Sequence, residues 1–158
     1  MNMTIKVQAM GPYQTNCYIV TKDGKDIIID PGVDATSWVK ANVKNPIAIL
    51  NTHGHFDHVW SNAELQRDLG VKLYTPQEDA MLLKESSWMP DLPPSIPDVL
   101  VENDAEFDLD GIKENFVTFQ DTLRATLLLR SMMQCLAVTL YLKRALEELI
   151  FLIQTPKI

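Results

Sequence analysis

Over the first third of the chain, apolar positions alternate with polar ones or run together in short stretches, and turn residues separate them. Residues 4–9 alternate loosely and Asn16-Cys17-Tyr18-Ile19-Val20-Thr21 is rich in β-formers, so both are predicted strands. Lys22-Asp23-Gly24-Lys25 supplies a hairpin turn through its Asp-Gly pair. Asp26-Ile27-Ile28-Ile29-Asp30 is a continuous apolar strand stopped by Pro31-Gly32. Asp34 is placed to cap a short helix through Trp38 and Ala41. Ile47-Ala48-Ile49-Leu50 is a short buried strand that empties into a loop. One helix is expected from near Asp57 to Leu69, burying Val59, Ala63, Leu65 and Leu69, with Gly70 as its stop. Residues 71–74 form another predicted strand, and Pro76 opens a helix through Leu83. Pro90, Pro93, Pro94 and Pro97 predict a long surface loop over 84–98, and Leu109-Asp110-Gly111-Ile112 a strand-turn-strand junction.

The pattern then changes. No glycine follows Gly111, no aspartate follows Asp121, and one proline follows Pro97. Residues 123–153 form a long apolar stretch that permits helix and carries few turn signals.

Composition narrows the class. A chain of 158 residues is enough for one domain with a core, and 46% hydrophobic with 22% charged residues is a globular profile. A net charge of -7 repels phosphate backbones and excludes nucleic-acid binding through a basic face. Neither a secretory signal pattern nor a bilayer-spanning apolar run is present, so no membrane partner is expected. Two cysteines, Cys17 and Cys135, make no disulfide framework and fit a reducing compartment; the expected location is cytoplasmic. Cys17 is read as a packed core thiol.

All three histidines fall within Thr52-His53-Gly54-His55-Phe56-Asp57-His58. Imidazole nitrogens and carboxylate oxygens are ligands for zinc, iron or manganese. On an extended loop His53 and His55 point the same way and can share one metal. Asp57 and His58, at the start of the next helix, can turn toward a second, with Gly54 letting the backbone bend between the pairs.

This run after a buried strand resembles the H-x-H-x-D-H signature of the metallo-β-lactamase superfamily. Gly11-Pro12-Tyr13-Gln14-Thr15-Asn16-Cys17-Tyr18 and Ile29-Asp30-Pro31-Gly32 resemble the opening strands of its glyoxalase II-like (hydroxyacylglutathione hydrolase-like) branch, and the likeness covers residues 3 to about 112. It implies an α+β fold, the αββα sandwich, with its N-terminal half at 1–112 and a non-family tail at 113–158, helical or disordered. It implies His53 and His55 at one metal and Asp57 and His58 at another, Asp57 being also the candidate catalytic residue. Zinc is the metal most in keeping, with iron or manganese as options, and the substrate class is a small ester or thioester. His58, where many true β-lactamases differ, argues against antibiotic hydrolysis. Asp30 has two readings, a buried carboxylate that orients a ligand or a turn residue ending its strand.

The family supplies three further ligands: a His in P-G-H-T-x-G, a bridging Asp in S-G-D, and a late His. This chain has no histidine after His58. Codons can nevertheless be chosen for the tail that encode the first two of these motifs in another frame. Phe119-Gln120-Asp121-Thr122-Leu123-Arg124-Ala125, written TTC CAG GAC ACA CTC CGG GCA, regroups by joining each third base to the next two into P-G-H-T-P-G. With codons chosen likewise, Leu136-Ala137-Val138-Thr139-Leu140-Tyr141-Leu142 can regroup into S-G-D-T-L-F, and residues 145–150 into I-G-R-T-D. A one-nucleotide frame error between about Gly111 and Phe119 is therefore expected. The alternative is a genuine divergent tail, such as a helical cap.

Three functions follow. A competent two-metal hydrolase needs substitute ligands from Asp104, Asp108, Asp110 or Asp121. A mononuclear iron oxygenase acting on a thiol persulfide is the second. The third, favoured for the chain as written, is a remnant of the hydrolase lineage, impaired or inactive.

Overall fold

The apolar runs of the first hundred residues become one six-stranded sheet in the computed structural model, which describes residues 3–84, 89–102, 105–117 and 128–129. Its strands are β1 (Met3–Met10), β2 (Thr15–Lys22), β3 (Lys25–Ile29), β4 (Pro46–Leu50), β5 (Lys72–Pro76) and β6 (Val99–Val101), adjacent in that order. β1, β2 and β3 pair antiparallel, whereas β3, β4, β5 and β6 are parallel. The predicted hairpin turn is present, with Asp23 and Gly24 both at positive φ, as a tight turn between twisted strands demands.

Parallel strands need crossovers, and helices supply them. α1 (Ala35–Asn42) links β3 to β4; α2 (Phe56–Val59) and α3 (Asn62–Leu69) link β4 to β5; a 3-10 turn at Gln77–Asp79 and α4 (Ala80–Lys84) follow β5. Consecutive residues of the central strands face opposite sides of the sheet. Ile28, Ile49 and Leu73 pack with Val39, Val59, Leu65 and Leu83 of the helices. Ile27, Ile29, Ala48, Leu50 and Tyr74 face the other way and pack with Leu109 and Ile112. Those two belong to a second sheet of β7 (Glu106–Leu109), β8 (Ile112–Val117) and β9 (Leu128–Leu129). Burial on both faces explains why the central strands β3 and β4 read as unbroken apolar runs. The described residues thus supply a helix layer and two β-layers of the expected αββα sandwich.

Asp26 fastens the crossover. Its buried carboxylate accepts from Thr21 Oγ1 at 2.6 Å and from the backbone N–H groups of Lys44 and Asn45 at 2.6 and 2.8 Å.

Several boundaries differ from the expected ones. Asp34 occupies the cap position of α1 but makes no side-chain cap hydrogen bond, its backbone being left-handed. Pro76 ends β5 instead of opening a helix, and α4 starts at Ala80. The segment over 89–98 has no helix or strand, but it is not wholly superficial, since Leu92 and Ser95 are buried. Leu128–Leu129 pairs with β8 as strand within the tail expected to be helical or disordered. The remainder of 118–158, with the regrouped motifs, Asp121 and Cys135, lies outside the described residues, as does Asp104.

The expected helix over 57–69 is two helices. Ser61 gives its N–H to Pro31 O at 2.9 Å and its Oγ to Gly32 O at 2.7 Å, so that N–H is lost to the helical ladder. The Pro31-Gly32 turn reaches Ser61 because Gly32 lies against the α2 backbone. A Cβ there would sit 1.9 Å from Asp57 O, which only glycine avoids.

Candidate metal centre

The histidine-rich loop leaves β4 at its carboxyl end, beside the carboxyl ends of β3 and β5, the side where open parallel sheets place their ligands. Asn51 anchors its start. Fully buried, Asn51 and Asn62 exchange amide hydrogen bonds at 2.8 and 3.2 Å, and Thr75 Oγ1 donates to Asn51 Oδ1 at 3.1 Å. These bonds tie β4 to α3 and β5 immediately before the ligand run. Downstream, Gly54 N donates to Asp79 Oδ2 at 2.9 Å.

Gly54 was expected to provide a bend. Its φ is ordinary; its role is room, since a Cβ would stand 2.8 Å from Asp79 O.

The structure gathers the three imidazoles. His53 lies edge-on to His55 with ring centroids 4.6 Å apart, and 4.0 Å from the ring of His58. Donor atoms of His53, His58 and Asp30 all lie within 4.8 Å of one another. Asp30 ends β3 in a left-handed conformation, with φ 49, and is buried. Its Oδ1 accepts from Thr52 N at 2.7 Å, and its Oδ2 lies 2.5 Å from Thr52 Oγ1 and 2.9 Å from His58 Nδ1. With both oxygens so engaged, Asp30 is placed to orient ligands and is a poor ligand itself. Both readings of this residue therefore hold, since the turn is what aims the carboxylate.

Asp57 comes from α2. Thr15 Oγ1, at the start of β2, donates to Asp57 Oδ2 at 2.6 Å. The same oxygen stands 3.5 Å from His58 Nε2, too long for a good hydrogen bond. Two donors about 2.1 Å from one tetrahedral ion are about 3.4 Å apart, so this pair fits a shared metal. His53 and His55 are in ring contact, but neither His55 nor Asp57 joins the group of candidate donors that His53, His58 and Asp30 form among the described residues. Burial and the neighbouring His58 push the His53 pKa down to about 4, which keeps its imidazole neutral, the state a metal requires. Burial likewise raises the Cys17 thiol, with Asp30 adding to it, so Cys17 is an inert core residue.

Asp108 and Asp110, the described substitute ligands, sit at the β7–β8 turn. Asp108 Oδ1 accepts from Gly111 N, and Asp110 pairs with Lys25 at 2.7 Å. Neither joins a group of candidate ligands among the described residues. Sequence reasoning gave no role to Thr15, Thr52, Asp79 or Asn62. The two threonines lay inside quoted motifs, but only packing shows what their hydroxyls touch.

The sequence profile of the metallo-beta-lactamase superfamily matches residues 10–122, ten residues beyond the boundary read from motifs. An uncharacterized protein of Aquifex aeolicus (strain VF5) is 35% identical over 122 residues, covering 66% of this chain and 57% of the relative. Hydroxyacylglutathione hydrolase GloC of Haemophilus influenzae is 33% identical over 88 residues, covering 53% of this chain and 42% of that one. The chain thus spans well under two thirds of these relatives' length. Among solved structures, BLEG-1 B3 metallo-beta-lactamase is similar at TM-score 0.66 and 25% identity, over 78% of this chain and 65% of that chain. The class B3 di-zinc metallo-beta-lactamase LRA-12, from an Alaskan soil metagenome, shares the fold at TM-score 0.59 and 22% identity, over 71% and 48%. Profile and fold agree: the chain belongs to the metallo-β-lactamase superfamily.

Proposed function

We propose that this chain carries the first half of a two-metal site for hydrolysing a small ester or thioester, and that it is impaired or inactive as written. The observation that carries the reading is the cluster at the carboxyl end of β4. His53 and His58 meet over Asp30, and Asp57 Oδ2 stands 3.5 Å from His58 Nε2. When bound, zinc would polarise the substrate carbonyl and acidify a water. His53 and His55 would hold one ion, and Asp57 and His58 the other. Thr15 and Asp30 aim Asp57 and His58 before any metal arrives, which lowers the cost of assembling the site. The name of the Haemophilus relative supports a thioester substrate. Iron and manganese suit the same donor set.

Four ligands do not complete two metals, and no histidine follows His58. A frame error between about Gly111 and Phe119 would account for two of the three missing ligands, the His of P-G-H-T and the Asp of S-G-D; the late His is not among the regrouped residues. Sequencing the gene across codons 105 to 125 tests that part directly.

The functional test compares two versions of the chain, as written and with its frame restored near Gly111. Each is assayed with zinc, manganese or iron on lactoyl thioesters, with a β-lactam and with a persulfide under oxygen-uptake recording. Thioester hydrolysis from the restored version alone, lost again in His58→Ala, is the expected result. Equal turnover from both means that the present chain already completes its site and overturns the proposal. Oxygen uptake on the persulfide would favour the iron oxygenase.

A further inference from the structure

One hydroxyl lies between Asp30 and His53. Thr52 Oγ1 is 2.5 Å from Asp30 Oδ2 and 2.9 Å from His53 Nδ1. A threonine hydroxyl has one proton to give and lone pairs to receive, so it can donate to only one of them. Three groups converge on Asp30: Thr52 N on Oδ1, and Thr52 Oγ1 and His58 Nδ1 on Oδ2. A carboxylate so surrounded accepts, and 2.5 Å is the length of a charge-assisted O–H to O⁻ bond. The Thr52 proton therefore goes to Asp30. The contact with His53 must then run the other way, with Nδ1–H donating to the Thr52 oxygen.

We infer that Thr52 is a positioning residue that sets the tautomer of His53, holding the proton on Nδ1 and the lone pair on Nε2 under the direction of Asp30. Imidazole in water favours the opposite form, so the contact reverses the intrinsic preference. His58 is set in the same sense by its own bond to Asp30. One buried carboxylate thus presents Nε2 from both rings, directly to His58 and through Thr52 to His53. Which nitrogen carries the proton is decided by the partner of the other. The tautomer stands independently of the proposed function; its consequence for metal affinity rests on that reading.

The test is nitrogen-15 NMR of the imidazoles in metal-free protein at neutral pH, with His53 assigned from His53→Gln. The unaltered chain should show a protonated Nδ1 and an unprotonated Nε2 at His53. Thr52→Val should move His53 to the Nε2–H form or to a mixture, leaving His58 as it was; Thr52→Ser should restore the original pattern. A His53 already in the Nε2–H form in the unaltered chain overturns the inference, whether or not the variants fold. So does an unchanged His53 in a folded Thr52→Val protein. Zinc titration supplies a second readout: Thr52→Val should weaken binding about 10- to 100-fold and Thr52→Ser should recover it, the usual effect of removing a group that orients a metal ligand. No zinc binding by the unaltered chain would count against the metal reading, and the NMR result would still decide the tautomer.

Discussion

Thr15 and Asp57 are 42 residues apart in sequence and joined by a 2.6 Å hydrogen bond from hydroxyl to carboxylate. The bond fixes the carboxylate oxygen that faces His58 Nε2. Thr15→Val keeps the side-chain shape and removes the donor. It should weaken zinc binding about tenfold, with Thr15→Ser restoring it, as measured by calorimetric titration. Affinity unchanged in Thr15→Val would show that α2 alone sets the Asp57 rotamer.

Gly32 offers a steric test. The Cβ of Gly32→Ala would meet Asp57 O at 1.9 Å, and a backbone carbonyl cannot swing aside as a side chain does. The α2 turn must move, at roughly 2–4 kcal/mol, the upper range for overpacking. Gly24→Ala is the control. Nothing lies within 4 Å of that Cβ, so only its left-handed backbone contributes, about 1 kcal/mol. Urea unfolding of the two variants should separate them clearly, and Gly32→Ala should also lose zinc binding. Similar stabilities would mean that the turn and α2 are not in the contact described.

Asp26 links the crossover to acid stability. Burial acts to raise its pKa, but hydrogen bonds from Thr21, Asn45 and Lys44, together with Lys6, outweigh it and leave the carboxyl below its ordinary 3.8. A group with a depressed folded pKa contributes stability that is complete above the ordinary value and lost as pH falls through the folded one. Asp26→Asn should therefore flatten the loss of stability below about pH 4, as followed by urea unfolding across pH. Asp26→Ala leaves two backbone N–H groups without their acceptor and should cost about 1–3 kcal/mol at neutral pH. Parallel acid profiles for Asp26→Asn and the unaltered chain would contradict this.

Much of this was legible in the sequence because burial on both faces writes itself as apolar runs. Ile27-Ile28-Ile29 and Ile47-Ala48-Ile49-Leu50 became central strands close to their predicted limits, and Asp23-Gly24 and Asp110-Gly111 turned where expected. Helix boundaries were less legible, because tertiary contacts set them. Ser61 breaks the expected 57–69 helix by bonding to Pro31 and Gly32, residues distant in sequence. Asn62 is polar and fully buried because Asn51 answers its amide. The candidate ligand run was visible as a cluster of every histidine in the chain. The hydroxyls and carboxylates that orient it come from the ends of other strands or from the residue before it. Spacing along one segment gave no role to Thr15, Thr52 or Asp79.

A zinc titration of the chain as written, followed by calorimetry with metal content determined after dialysis, tests most directly whether this is a metal half-site without its second half. Fewer than two equivalents, weakly held, are expected, and no binding after His53→Ala and His55→Ala together. Two tightly held equivalents in the unaltered chain would contradict this, because ligands beyond His53, His55, Asp57 and His58 would then have to be present.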